Sequence, residues 1–168
     1  MSRRAALLAL GQATLAGLLL GGCGFKLRAS QNFAFASLAV MPNPGGPLAI
    51  ELRRSFGDAV HVMAPDEPPG NAQVLLDILQ EQREKVVVGV NSSGQVREFQ
   101  LRIRVKFRAR SRDGRELLAD SEILQQRDIS FNESAVLAKE AEEVLLYRDM
   151  QTDIVQQLLR RLAAVRLG

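Results

Sequence analysis

The chain has 168 residues, with 22 Lys+Arg against 19 Asp+Glu, a single histidine and a single cysteine. That length suffices for one domain with a real core, and a formal charge of +3 points to no particular class of partner. One histidine and one cysteine exclude the usual Ser-His-Asp, Cys-His and His-rich metal arrangements, and no Gly-rich loop joins a strand to a helix, so the chain is expected not to be an enzyme.

Residues 1–22 read as a secretory signal peptide. Arg3 and Arg4 form a charged start, and Ala5 to Leu20 is an apolar run too short and too mild for a membrane-spanning helix. Leu20-Gly21-Gly22-Cys23 follows, an aliphatic residue and two small ones before the cysteine, and this resembles the bacterial lipobox. Cys23 is therefore expected to carry the covalent lipid, a diacylglycerol and an N-acyl chain, with no other cofactor. As the only cysteine, it leaves no disulfide to form within the chain. Cleavage would take Arg3 and Arg4 from the 22 basic residues, leaving 20 against 19 acidic ones. Residues 23–32 read as a lipidated tether and 33–168 as one α+β domain. Gly24, where an aspartate would resemble an inner-membrane retention signal, implies sorting to the outer membrane.

The domain opens with a short strand ending in SLAVM, stopped by Pro42 and Pro44. Pro47 suits the first turn of a helix carrying Leu48, Leu52 and Phe56 on one stripe, with Arg53 and Arg54 near its end and Gly57 closing it. His61, in AVHVM, reads as an incidental strand residue. Val74 to Val90 is a long strand, and because neither parity stays apolar it is expected to bulge midway. Asn91-Ser92-Ser93-Gly94 turns the chain back.

Phe99 to Arg110 alternates without a break. Phe99, Leu101, Ile103, Val105, Phe107 and Ala109 take one face, while Arg102, Arg104, Lys106, Arg108 and Arg110 take the other. The apolar pattern selects a three-residue loop, Arg112 to Gly114, which pairs Phe107 with Ala119 and Ile103 with Ile123. Leu117, Ala119, Ser121, Ile123, Ile129 and Phe131 then share the core face. Asn132 is a helix N-cap with Glu133 in the first turn. Leu137, Ala141, Val144, Tyr147, Gln151, Ile154, Leu158, Leu162 and Val165 form the stripe of a final helix of roughly 30 residues, about 45 Å. Glu142 and Glu143 read as its solvated exterior.

These elements predict an α+β two-layer sandwich, two helices packed on one face of a four-stranded mixed sheet. The cationic face of the central strand then has three readings. It is a solvated face partly neutralised by Asp120 and Glu122, a surface for lipid phosphates, or an interface for a carboxylate-bearing protein. Nucleic acid is a poor candidate partner for a secreted lipoprotein, and no exposed aromatics interleave with the cations, so no nucleic-acid partner is expected.

GCGFKLR after the signal, the NSSGQ turn into an alternating strand, and NESAVLAKEAEEVLLYRDMQTDIVQQLLRRL together resemble the LptE lipopolysaccharide-assembly lipoproteins. The resemblance runs over nearly the whole mature chain. It implies a lipid-anchored, periplasm-facing protein of the outer membrane that plugs the LptD barrel and binds lipopolysaccharide on its way to the outer leaflet. It implies Lys139, in the LAK segment, as a lipopolysaccharide contact. Ser92 stands where the family has a second basic residue, and Arg97, Lys85 and Arg83 are the nearby candidates to replace it. Arg102, Arg104, Lys106 and Arg108 become the candidate barrel interface. The alternative is an accessory lipoprotein of another envelope machine, without lipopolysaccharide contact.

Overall fold

The computed structural model describes residues 31–42 and 45–167. Cys23, residues 1–22 and most of the expected tether lie outside them. Five strands form one sheet in the order β2-β1-β3-β4-β5, with β1 Ser37–Met41, β2 His61–Val62, β3 Val74–Val90, β4 Val96–Ser111 and β5 Glu116–Ser130. The sheet is mixed, as expected, but five-stranded rather than four. The strand that the expected order omits is β2, two residues parallel to β1 with Ser37 opposite His61. So short a strand leaves no alternating pattern to read.

Two α-helices cover the apolar face, α1 Pro47–Phe56 and α2 Val136–Ala163. Pro47 begins α1, and Gly57 ends it at φ 53°, a left-handed conformation that favours glycine. Leu48, Leu52 and Phe56 are buried as their spacing requires. They pack with Leu38, Val40, Val74 and Leu76 of the sheet and with Leu158 and Leu162 of α2. Leu101, Ile103, Val105, Phe107 and Ala109, the odd positions of β4, are all buried in the same core.

The bulge in β3 lies between Ile78 and Gln80. Below it Val74, Leu76 and Ile78 join the core. Above it the parity has flipped, so Glu81, Arg83, Lys85 and Val87 stand opposite Val105, Ile103, Leu101 and Phe99 and share their face. The distal helix-facing side of β3 is therefore charged.

The β4–β5 loop is the predicted one, with Gly114 at φ 86° and Arg110 opposite Glu116. The predicted pairs do not follow. Two irregularities, between Ala109 and Arg110 and between Phe107 and Ala109, slide the register by two, so Phe107 faces Ser121, Val105 faces Ile123 and Ile103 faces Gln125. A slip of two keeps Ile123 and Ile129 on the core face. It exposes Ala119 and packs both Leu117 and Leu118 against the core, which strict alternation forbids.

Asn132 caps as predicted, its Oδ1 accepting from Ser134 N at 3.0 Å, but it caps a 3-10 turn (Glu133–Ala135) that precedes α2. The apolar stripe of α2 is buried only in its lower half, at Met150, Ile154, Val155, Leu158, Leu159 and Leu162. Leu137 and Val144, expected on the stripe, are 81% and 68% exposed, and Ala141 is exposed too. The reason is length. At 28 residues, α2 is about 42 Å long, whereas α1 has ten residues and lies beside the lower half alone, where Glu51 accepts from Gln151 and Thr152.

Candidate functional site

The sheet face turned away from the helices carries the basic residues of β4, and its neighbours answer most of them. Asp77, nearly buried, accepts from Arg108 Nε at 3.0 Å and from Arg110 Nε at 3.1 Å. That hydrogen bond and the Asp77 charge, with Asp120 and Glu116 adding, hold the Arg108 guanidinium above even its usual high pKa. Arg104 Nη1 reaches Glu122 Oε1 at 2.7 Å, and Arg102 Nε donates to Gln100 Oε1 at 2.7 Å. Lys106 is exposed and stands in register between Gln80 and Glu122. The face is thus a ladder of paired charges with a cationic centre line, not a uniform positive surface. Asp77 is the residue that sequence reasoning missed; an acid inside the apolar run VLLDIL was the available signal.

The second cluster lies on the other side of the sheet, at its distal end. The charged positions that the β3 bulge turns inward meet the sheet-facing side of α2. Lys85 Nζ pairs with Glu143 Oε2 at 2.6 Å and sits 4.4 Å from the centre of the Phe99 ring. Arg83 lies 5.6 Å over the Tyr147 ring and donates to Gln151. The Tyr147 hydroxyl donates to the backbone carbonyl of Glu84 at 2.7 Å; burial pushes its pKa up, Glu143 adds to this, and the group stays a donor. Lys139 Nζ donates to Ser130 Oγ at 3.0 Å and to Glu142 Oε2 at 2.8 Å.

Lys85 and Lys139 line one cleft, walled by Phe99, Ile129, Phe131 and Val136, of about 50 Å³. A water needs about 10–15 Å³ of such space, so the cleft has room for a few waters. Lys85 pairs with Glu143 and Lys139 with Glu142 at its rim. Glu142 and Glu143 are therefore partners of the two candidate cations rather than a free solvated face. Arg97 is not among the lining residues: its Nη2 is 3.4 Å from Gln95 Oε1, within the turn. Arg83 is engaged lower on the sheet, and Ser92 is exposed at the hairpin tip. Among the described residues no group of three or more His, Cys, Asp or Glu is placed to hold a metal, and no helix is long and apolar enough to cross a membrane.

Fold and clusters together define a class: a small two-layer α+β sandwich in which, among the described residues, charged side chains pair across both faces of the sheet. The sequence model of the family described as LptE, lipopolysaccharide-assembly, matches residues 31–162. Comparison with curated proteins gives no match. Among solved structures, lipoprotein B from Nitrosomonas europaea, described as uncharacterized, is 34% identical at a TM-score of 0.70, covering 84% of this chain and 91% of that one. The rare lipoprotein B from Shewanella oneidensis is 20% identical at a TM-score of 0.64, covering 76% and 94%. A minor lipoprotein from Acinetobacter baumannii is 18% identical at a TM-score of 0.60, covering 80% and 96%. The last two speak for the fold alone. The chain belongs to the LptE lipopolysaccharide-assembly family. Its role lies in lipopolysaccharide assembly, as an envelope-associated lipoprotein.

Proposed function

We propose that the chain is an outer-membrane lipoprotein of three parts: a signal peptide over 1–22, a tether over 23–32 lipidated on Cys23, and a domain over 33–168. It works by binding rather than catalysis. It plugs and helps to assemble the LptD barrel, and it holds lipopolysaccharide during delivery to the outer leaflet. One observation carries this reading beyond family membership: a domain of this size has a polar sheet face turned away from its own core. Barrel lumens are polar, so a plug needs a hydrated surface on the side its helices do not cover. The charge ladder supplies that surface, and Lys106, exposed on its centre line, offers a cation to a carboxylate on the barrel wall. Arg102, Arg104 and Arg108 are the further interface positions. Lys139 and Lys85 are the lipopolysaccharide contacts, with Arg97 a peripheral cation.

A photo-crosslinker at Lys106 or Arg104 of the full-length protein in cells is expected to capture the barrel protein. A Cys23→Ala variant is expected to lose labelling by a palmitate analogue. Absence of barrel adducts at both positions, with the protein lipidated and folded, would overturn the plug.

A further inference from the structure

The bulge between Ile78 and Gln80 decides which side chains of β3 share a face with those of β4. It sets Lys85 opposite Leu101 and Val87 opposite Phe99, so Lys85 and Phe99 are diagonal neighbours on the helix-facing side. A long side chain reaches its diagonal neighbour, and the Lys85 ammonium ends 4.4 Å from the centre of the Phe99 ring. At that distance the quadrupole of an aromatic face attracts a cation.

The ring has little freedom of its own. Phe99 is half-buried and packs against the core, with Ile129 across from it on β5. The Phe131 ring meets it at 5.4 Å and 81°, edge against face. Phe131 is held in turn by its backbone N–H, which donates to the carbonyl of Arg97 at 2.7 Å. Phe99 therefore forms a fixed wall of the cleft that Lys85 and Lys139 line.

Lys85 has two partners, and an arriving anion affects them differently. Glu143, 2.6 Å away, carries the same sign of charge as the anion, so the two compete for the ammonium. The ring has no net charge to repel the anion, and it leaves the ammonium donors to a stronger acceptor. Lysine is a strongly hydrated point charge on a flexible four-carbon stem, and an ion pair near the surface holds such a chain weakly.

We infer that Phe99 is a positioning residue of the distal cleft. Its ring face keeps the Lys85 ammonium in the cleft after Glu143 has given way, so that Lys85 from β3 and Lys139 from α2 meet one anionic group of the ligand. Apparent affinity scales with the fraction of molecules already in the binding-competent arrangement, and Phe99 raises that fraction. The inference rests on the reading of Lys85 and Lys139 as lipopolysaccharide contacts.

The test measures lipopolysaccharide binding to the full-length protein in detergent after Phe99 is replaced by trifluorophenylalanine. The replacement keeps the outline of the ring and withdraws negative charge from its face. Binding is expected to weaken roughly two- to fivefold, the span of one exposed cation–ring contact. In a Lys85→Ala background the same replacement is expected to change nothing, because the ring then has no ammonium to hold. Should the fluorinated protein not accumulate, Phe99→Leu, which removes the aromatic face, takes its place in the same cycle. Unchanged binding in Lys85→Ala alone would remove that contact and the inference with it. Weaker binding in Lys85→Ala beside parental binding in the fluorinated protein would overturn the inference and leave Lys85 in the site. An equal loss on fluorination with and without Lys85 would overturn it too, since the ring would then act on the ligand by another route.

Discussion

Lys139 and Glu142 give the sharpest test of the distal cleft, because removing either breaks the same ion pair but changes lipopolysaccharide binding in opposite directions. In the fold, the Lys139 ammonium bridges the end of β5 to α2 through Ser130 and Glu142, with side chains 23% and 48% exposed for the lysine and the glutamate. An ion pair so placed on a helix contributes about 0.2–0.5 kcal/mol, and the bond to Ser130 about 0.5–1.5 kcal/mol. Lys139→Ala should thus lower the melting temperature by a few degrees and leave the fold intact. A phosphate contact is charge-assisted, on the order of 1.5–3 kcal/mol, so its loss weakens lipopolysaccharide binding about 10- to 150-fold. Glu142 competes with that phosphate for the same ammonium. Glu142→Gln frees it at a stability cost of at most about 0.5 kcal/mol, and binding should tighten by about twofold. The assay is lipopolysaccharide binding to the full-length protein in detergent, by fluorescence anisotropy at low and high salt, beside a thermal melt. The Lys139→Ala loss should shrink as salt rises. Unchanged binding in Lys139→Ala at low salt, or weaker binding in Glu142→Gln, would refute the reasoning and leave the pair as part of the scaffold alone.

Phe107, fully buried beneath the helices, sets the scale of the core: Phe107→Ala should cost about 3–5 kcal/mol, read as a large fall in the chemical-denaturation midpoint. Asp77→Ala should destabilise by about 1–3 kcal/mol and, unlike Asp77→Asn, leave Arg108 and Arg110 without an acceptor; equal melts for the two variants would show that the acceptor geometry contributes nothing. Glu81 is half-buried beside Gly46, and burial pushes its carboxyl pKa up against the opposing pull of Arg83. The folded state then binds this proton more tightly than the unfolded one, so stability is lost as pH rises through the raised pKa. Glu81→Gln cannot lose it, and should melt above the parent at about pH 7 and level with it at about pH 4, with the melting-temperature difference vanishing on acidification.

What the sequence determined was every pattern that depends on neighbours along the chain. The alternation of β4 fixed which side chains enter the core, because in an unbulged stretch of strand successive residues point to opposite faces. Pro47 and Gly57 fixed the ends of α1 through their backbone dihedrals, and Gly114 fixed the loop before β5. The family was legible in the same way, through GCGFKLR and the LAK helix. The tertiary structure decided what depends on the opposite strand or helix. The bulge at Ile78 was foreseen, but only pairing with β4 shows that it turns Arg83 and Lys85 towards α2. The same holds for the β5 register, where two irregularities let Leu117 and Leu118 both pack inward and moved Phe107 from Ala119 to Ser121. The burial of α2 depended on the length of α1, a distant segment, and so Leu137 and Val144 looked like core and are surface. The basic stripe changed most. Read alone, β4 is cationic; in the sheet, Asp77 and Glu122 sit across from its arginines, because charges on adjacent strands are neighbours in space while standing tens of residues apart in the chain.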